Sequence, residues 1–169
     1  MKNMIWIYII IGLIFAGLIT YGCVQHDDGV IERDYTNYKP IEITYTGDTL
    51  EVANLICRYR DSLGLIELKA EALLTELARQ HTLDMILDGE LSHDGFGDRS
   101  QIALNNNFKS FGEIVAYGYS NPIGLLEGYK RSPSHKIILD GKYYTHFGIS
   151  FEEDANKRRY NTIVFAQVK

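Results

Sequence analysis

The chain has 169 residues, which is enough for one domain with a sizeable core and too few for two. Hydrophobic residues make up 46% and charged residues 23%, so the chain as a whole is neither disordered nor fibrous. The 17 Lys and Arg against 22 Asp and Glu give a net charge of −5, and no stretch concentrates basic residues, which argues against nucleic acid as a partner. Two cysteines allow one disulfide at most, so packing must stabilise the fold.

The chain opens with an apolar segment. Residues 3–26 contain no Asp, Glu, Lys or Arg, while Lys2 precedes them and Asp27 and Asp28 follow. The positive-inside rule then keeps the N-terminus in the cytoplasm and exports the rest. We therefore expect residues 1–22 to be a signal peptide or a membrane anchor, and the remainder to work outside the cytoplasm.

Three fates are open for this segment: cleavage as an ordinary signal peptide, retention as a transmembrane anchor, or cleavage before Cys23 with lipid added to its thiol. A helix over residues 4–23 would be about 30 Å long, just enough to cross a bilayer. The ending Thr20-Tyr21-Gly22-Cys23 resembles a bacterial lipobox, although Thr20 replaces the usual Leu and Tyr21 is bulky. We expect lipidation at Cys23, with single-pass anchoring and plain secretion as the alternatives.

The polar residues 23–40 are expected to form a tether, and residues 41–169 the folded domain. Alternation of apolar and polar residues predicts a short strand over 41–45. Asp48 and Glu51 have the spacing of a capping box that opens a helix ending at 62–64. A second helix is predicted over about 69–87, with His81 on its apolar stripe and therefore pointing inward.

Further along the chain, a loop over 91–97 carries His93, and a short helix is predicted over 98–105. Asn121-Pro122 starts another helix, which runs to about 131. Ser132-Pro133 starts the next, placing His135 in its first turn.

The last two apolar segments, 147–151 and 162–166, predict a terminal antiparallel hairpin. The second of these is apolar on both faces, and such a strand needs cover on both sides. The pattern therefore indicates an α/β fold of three layers, in which helices flank a mostly antiparallel central sheet.

Common enzyme signatures are absent, including Gly-rich phosphate loops, HExxH, GxSxG and CxxC. His81 and His146 are most simply explained as a hydrogen-bonded core histidine and an ordinary strand histidine. Glu113 lies in an apolar run, where a carboxylate needs a donor or a cation. The positive end of a helix dipole disfavours an imidazolium at His135, which suits a base or a metal ligand.

Five ordered blocks carry a resemblance to a known family. They are GLIELKAEALLTELARQHTLDM at 64–85, LSHDGF at 91–96 with Arg99 after it, FGEIVAYG at 111–118, GYKRSPSHKIILDGKYYTHFGIS at 128–150 and IVFAQ at 163–167. Residues 50–168 resemble the CAP superfamily, also called SCP or the cysteine-rich secretory protein, antigen 5 and pathogenesis-related 1 superfamily. The disulfide-poor form is similar to bacterial members.

The resemblance implies an α-β-α sandwich with a cleft that holds two histidines and acidic residues and, in some members, a divalent metal such as zinc. Matched block by block, the cleft residues would be His93, Glu113 and His135, with His93 and His135 as possible metal ligands. Ile114 stands where the family usually has Asn, so a hydrogen bond is expected to be missing there. The second acidic member has no clear match, since neither Asp94 nor Asp98 can be assigned.

Two functions follow from the resemblance and the cluster. The first, which we favour, is a membrane-tethered domain outside the cytoplasm that binds a lipid, a cell-wall component or a protein at the His/Glu cleft. The alternative is a metal-dependent hydrolase, a peptidase or esterase, in which His93 and His135 hold zinc and Glu113 is a base or third ligand. Two imidazoles and a carboxylate are ligands that zinc accepts.

Overall fold

The computed structural model describes residues 41–169. The apolar segment, Cys23 and most of the predicted tether lie outside these residues. The described elements, in chain order, are α1 (Gly47–Ser62), β1 (Lys69–Ala70), α2 (Ala72–Asp88), α3 (Phe96–Asn105), β2 (Phe108–Tyr117), α4 (Pro122–Arg131), α5 (Pro133–Leu139), β3 (His146–Glu153) and β4 (Arg159–Val168).

The four strands form one sheet in the order β1-β3-β4-β2. β4 pairs antiparallel with both β2 and β3, which confirms the predicted terminal hairpin. The two residues of β1 pair in parallel with β3, so the sheet is mixed, although almost all of it is antiparallel as predicted. β2 forms one edge of this sheet, and the strand carries Glu113.

Side chains of β4 alternate between two apolar layers, because successive residues of a strand point to opposite faces. Ile163 and Phe165 lie in the layer packed against α1, α4 and α5, whereas Val164 and Ala166 lie in the layer beneath α2 and α3. All four are fully buried. The three-layer α-β-α architecture predicted from this strand is confirmed.

Two elements differ from the sequence prediction at the start of the domain. The expected strand over 41–45 is only an isolated bridge, in which Glu42 pairs with Glu71. The α1 helix has Thr46 at its N-cap with no side-chain cap, so the predicted capping box does not form. Asp48 instead accepts a hydrogen bond from Arg159 Nη1 at 2.8 Å, which ties α1 to β4.

The second helix begins later than predicted. Glu71 is its N-cap, and one of its carboxylate oxygens accepts a hydrogen bond from the Leu74 N–H at 2.8 Å. A carboxylate at this position satisfies an N–H group that has no partner within the helix. The helix ends, as predicted, at Gly89, whose φ of 70° is the left-handed conformation that glycine adopts readily.

None of the described helices is long and apolar enough to span a bilayer. Cys57, on α1, is a free thiol packed partly against the first apolar layer, as expected for a small core residue.

Candidate functional site

A loop between α2 and α3 presents His93 at the edge of the domain. The loop starts at the left-handed Gly89 and closes where the Phe96 N–H donates to the His93 carbonyl at 3.0 Å. Half of the His93 side chain is exposed, with a relative accessibility of 50%. The sequence therefore places this imidazole on a short, hydrogen-bonded turn within reach of solvent.

Glu113 lies on β2 with its carboxylate completely buried. Arg99, from α3, donates from Nε to Oε2 at 2.8 Å and from Nη2 to Oε1 at 2.9 Å, so the two groups form a bidentate pair. The Arg99 side chain is itself 9% exposed. The expectation that Glu113 needs a cation is met by Arg99, to which the sequence analysis assigned no role.

His93 completes the cluster by donating from Nδ1 to Glu113 Oε1 at 2.9 Å. A carboxylate can only accept from an imidazole at this position, so the proton of neutral His93 lies on Nδ1. The other ring nitrogen, Nε2, then keeps its lone pair. The exposed imidazole thus presents a hydrogen-bond acceptor, held in place by a buried ion pair beneath it.

His81 faces inward from α2, as predicted, and is 1% exposed. Its Nε2 lies 2.8 Å from the Ser92 carbonyl oxygen and 3.8 Å from Glu113 Oε1. Burial lowers the pKa of His81, and the positive charge of Arg99 lowers it further. This imidazole therefore remains neutral near pH 7.

His135 lies in the first turn of α5, where Pro133 follows the Ser132 N-cap as predicted. Its ring packs edge-on against Tyr129, with ring centroids 5.2 Å apart and an interplanar angle of 87°. Burial lowers the pKa of His135, and the nearby His93 lowers it further. His135 is therefore sensitive to the charge of His93, and Glu113 is bound by His93 and Arg99.

Tyr129 is held in turn by a buried polar chain. Its hydroxyl donates to Asn161 Oδ1 at 2.6 Å, and Asn161 Nδ2 donates to the Ser150 carbonyl at 2.5 Å. Burial raises the pKa of Tyr129 well above its usual value, so the hydroxyl stays protonated. The ring against which His135 packs is therefore fixed to the two central strands of the sheet.

The remaining candidates do not join the cluster. Asp94 contributes its backbone carbonyl to Arg99 Nη1, at 2.6 Å, rather than its carboxylate, and Asp98 is an exposed residue in the first turn of α3. His146, on β3, hydrogen-bonds to Thr145 and lies with its ring centroid 6.0 Å from that of Phe108. The second acidic member of the family cleft has no counterpart among these residues.

Several potential metal-ligating atoms of the cluster are already engaged by protein partners. Both oxygens of Glu113 are bound by Arg99, and Nδ1 of His93 is used by Glu113. Within residues 41–169, no group of three or more His, Cys, Asp or Glu is arranged to hold a metal ion. Glu113 in this arrangement does not fit the role of third zinc ligand.

A cavity of about 260 Å³ opens beside the cluster, and no motif or spacing in the chain predicts it. The buried groups His81 and Arg99 form part of its wall, together with residues of the loop and of the last turns of α2. Arg99 therefore lies between this cavity and Glu113.

Comparison with known proteins decides the family. The model of the family described as CAP, cysteine-rich secretory protein family, matches residues 53–168. The chain belongs to this family. Ile114, where the family's usual Asn was expected, is fully buried in the first apolar layer of this CAP domain, so an amide there would be desolvated.

Solved structures support the CAP fold. An outer surface protein of Borrelia burgdorferi matches with a TM-score of 0.67 and 20% identity, over 78% of this chain and 100% of that one. An extracellular Bacillus anthracis protein containing an SCP domain matches with a TM-score of 0.62 and 25% identity, over 72% of this chain and 40% of that one. A cysteine-rich secretory protein of Staphylococcus aureus gives a TM-score of 0.62 and 18% identity, over 71% and 38%. No sequence among the curated proteins matches the chain.

Proposed function

We propose that this chain is an exported, membrane-tethered CAP domain that binds a ligand at the cleft formed by His93, Glu113 and His135. The ligand would be a lipid, a cell-wall component or a protein. The observation that carries the proposal is the half-exposed His93, whose Nε2 is left as an acceptor because Nδ1 donates to a buried carboxylate. Such a group suits recognition of a hydroxyl or amide donor on a ligand.

The surroundings of the cluster favour binding over hydrolysis. Glu113 has both oxygens engaged by Arg99, so it is poorly placed to accept a proton from water or to bind a metal. His135 supplies a second imidazole whose lowered pKa keeps it neutral at pH 7. The Nε2 acceptor of His93 and the neutral imidazole of His135 would form a polar recognition surface.

Two observations support the proposed export and tethering. The apolar segment at 1–22 and the lipobox-like Cys23 predict that the domain faces the exterior from a membrane. The similar proteins of Bacillus anthracis and Borrelia burgdorferi are described as extracellular and as an outer surface protein. We place this domain in the same environment.

The test is co-sedimentation of the full-length protein with purified peptidoglycan sacculi and with phosphatidylglycerol vesicles. We expect His93→Ala to weaken binding to one of these probes at least tenfold. The matched control is His146→Ala, which removes another partly buried histidine, on β3, and should bind like the wild type. Both variants carry the same N-terminal segment, so a difference between them reports on the cleft.

Equal binding by the two variants to both probes would contradict a role for the cleft. Zinc analysis and a peptide and ester panel on the same preparations test the hydrolase alternative. Stoichiometric zinc together with turnover, both lost in His135→Ala, would replace the binding function by hydrolysis.

A further inference from the structure

We infer that His81 is a positioning residue for His93, which it holds in register by binding the backbone of the loop immediately before it. The importance of this role rests on the proposed function, since His93 is the ligand-binding group there. His81 itself is 1% exposed and borders the cavity beside the cluster. Its hydrogen bond to the Ser92 carbonyl gives it a direct path to His93 through the loop.

Three consecutive carbonyls of the loop are bound, which leaves the main chain around His93 little freedom. His81 Nε2 binds the Ser92 carbonyl at 2.8 Å, and the Phe96 N–H binds that of His93 at 3.0 Å. Arg99 Nη1 binds the carbonyl of Asp94 at 2.6 Å. Phe96 and Arg99 both belong to α3, so among these three donors His81 alone ties the loop to α2.

The same contacts dictate where the protons lie. A backbone carbonyl only accepts, so the hydrogen on His81 must be on Nε2. For the corresponding reason, the hydrogen on His93 must be on Nδ1, facing Glu113 Oε1. The two imidazoles therefore have opposite tautomers, and each is set by a specific acceptor.

Loss of the His81 anchor would release the Ser92 carbonyl, while the Glu90 N–H would still hold the start of the loop to the Met85 carbonyl of α2 at 3.2 Å. The 2.9 Å contact between His93 and Glu113 would then no longer be enforced, and Nε2 of His93 would no longer be obliged to remain an acceptor. A histidine that only fills core space would not have this effect. The tautomer of His93 is thus the signature of a positioning role.

The experiment measures tautomers in the full-length protein, labelled with ¹⁵N-histidine, by long-range ¹H–¹⁵N correlation at pH 7.5 without any ligand. His93 is assigned by the peaks lost in His93→Ala. The wild type should carry its proton on Nε2 at His81 and on Nδ1 at His93. A proton on Nδ1 of His81 would overturn the inference outright.

Two variants form a matched pair, because both put an amide at 81 and differ only in reach. His81→Gln places its amide nitrogen where Nε2 was and should keep the wild-type tautomer of His93. His81→Asn is too short to bind the Ser92 carbonyl, and most of its His93 should move the proton to Nε2. An unchanged His93 in a folded His81→Asn variant would overturn the inference. If that variant does not fold, the wild-type tautomers and His81→Gln decide, since a changed His93 in His81→Gln would equally overturn it.

These readouts involve no ligand, so they are independent of the proposed function. If His93→Ala binds the probes like the wild type, the binding function fails while the tautomer result stands. If the tautomers are as described for the wild type but unaffected in His81→Asn, the positioning role fails while binding stands.

Discussion

The Glu113 carboxylate is completely buried, and its charge is compensated there by Arg99. Removing one member of a buried ion pair leaves the other charge unpaired, which costs much more than the pair itself contributes. Glu113→Gln should therefore lower the free energy of unfolding by about 3 kcal/mol. The measurement is urea denaturation at pH 7, followed by circular dichroism.

The control for this prediction is Glu153→Gln, which breaks an exposed ion pair with Arg159. Solvent screens such pairs, so the urea midpoint of this variant should match that of the wild type. If Glu113→Gln lowered the urea midpoint no more than the control does, the Glu113 charge would not be buried as described.

The sequence predicts that the Glu113 carboxylate needs a partner, but it does not predict which residue supplies that partner. A carboxylate between Gly112 and three apolar residues has to be compensated, and this is visible in the sequence. That the compensation comes from Arg99 depends on how α3 packs against β2, which no local pattern specifies. The hydrogen bond between His81 and the Ser92 carbonyl cannot be predicted from the sequence either, because every residue has a backbone carbonyl and none is marked as the acceptor.

Between elements, α2 approaches the sheet closely at Gly148. A Cβ atom there would overlap the main chain of Leu74 and Thr75, so α2 rests directly on the backbone of β3. Gly148→Ala must push the helix away, and we expect it to lower the free energy of unfolding by about 3 kcal/mol. Thermal and urea unfolding measure this effect.

Gly97 offers the matched control for that substitution. It lies in the first turn of α3, and a Cβ atom there has no neighbour within 4 Å. Gly97→Ala should leave stability unchanged or raise it by up to about 1 kcal/mol, because alanine favours helix. Similar losses in both alanine variants would mean that the contact at Gly148 is not the cause.

The helices were predicted well where their ends carry strong local signals. Asn121 accepts a hydrogen bond from the Gly124 N–H at 2.8 Å, and Gly89 ends α2, both as the sequence indicates. The prediction was wrong where a tertiary partner competes for the capping residue. Asp48 binds Arg159 from β4 instead of capping α1. The segment at 41–45 forms an isolated bridge at Glu42 instead of a strand, and the Tyr45 hydroxyl accepts a hydrogen bond from the Ile149 N–H of β3 at 3.0 Å.

For the molecule as a whole, three partly or fully buried histidines make the free energy of unfolding depend on pH. Burial is the main cause that lowers the pKa of His81, His135 and His146. Below about pH 6.5 the unfolded chain therefore binds more protons than the folded one. The stability that these neutral histidines contribute is complete above that pH and is lost progressively as the pH falls. Urea midpoints measured between pH 7.5 and 5 should show this loss.

His81→Gln is the variant that isolates one contribution to this dependence. Glutamine does not titrate and keeps a donor for the Ser92 carbonyl, so the loss of stability between pH 7.5 and 5 should be smaller than in the wild type. An identical pH profile, or stability that increases on acidification over this range, would contradict the assignment.

The proposed attachment of the whole protein to a membrane can be tested through Cys23, which lies outside the described residues. Cys23→Ser should accumulate unprocessed precursor and lose acyl labelling, since the lipid needs the thiol. Cys57→Ser is the matched control, because Cys57 packs partly against the core of the domain and should leave labelling intact. Processing and labelling that persist in Cys23→Ser would favour a retained anchor or a simple signal peptide.

The central position of β4 also governs the order in which the molecule can assemble. β2 and β3 do not pair with each other, and residues 159–168 pair with both of them. During synthesis these residues emerge after the other strands within residues 41–169, so the ribosome releases most of the domain before the antiparallel part of its sheet can form. A chain that stays open until its final strand arrives is well suited to being threaded through a translocation channel before it folds.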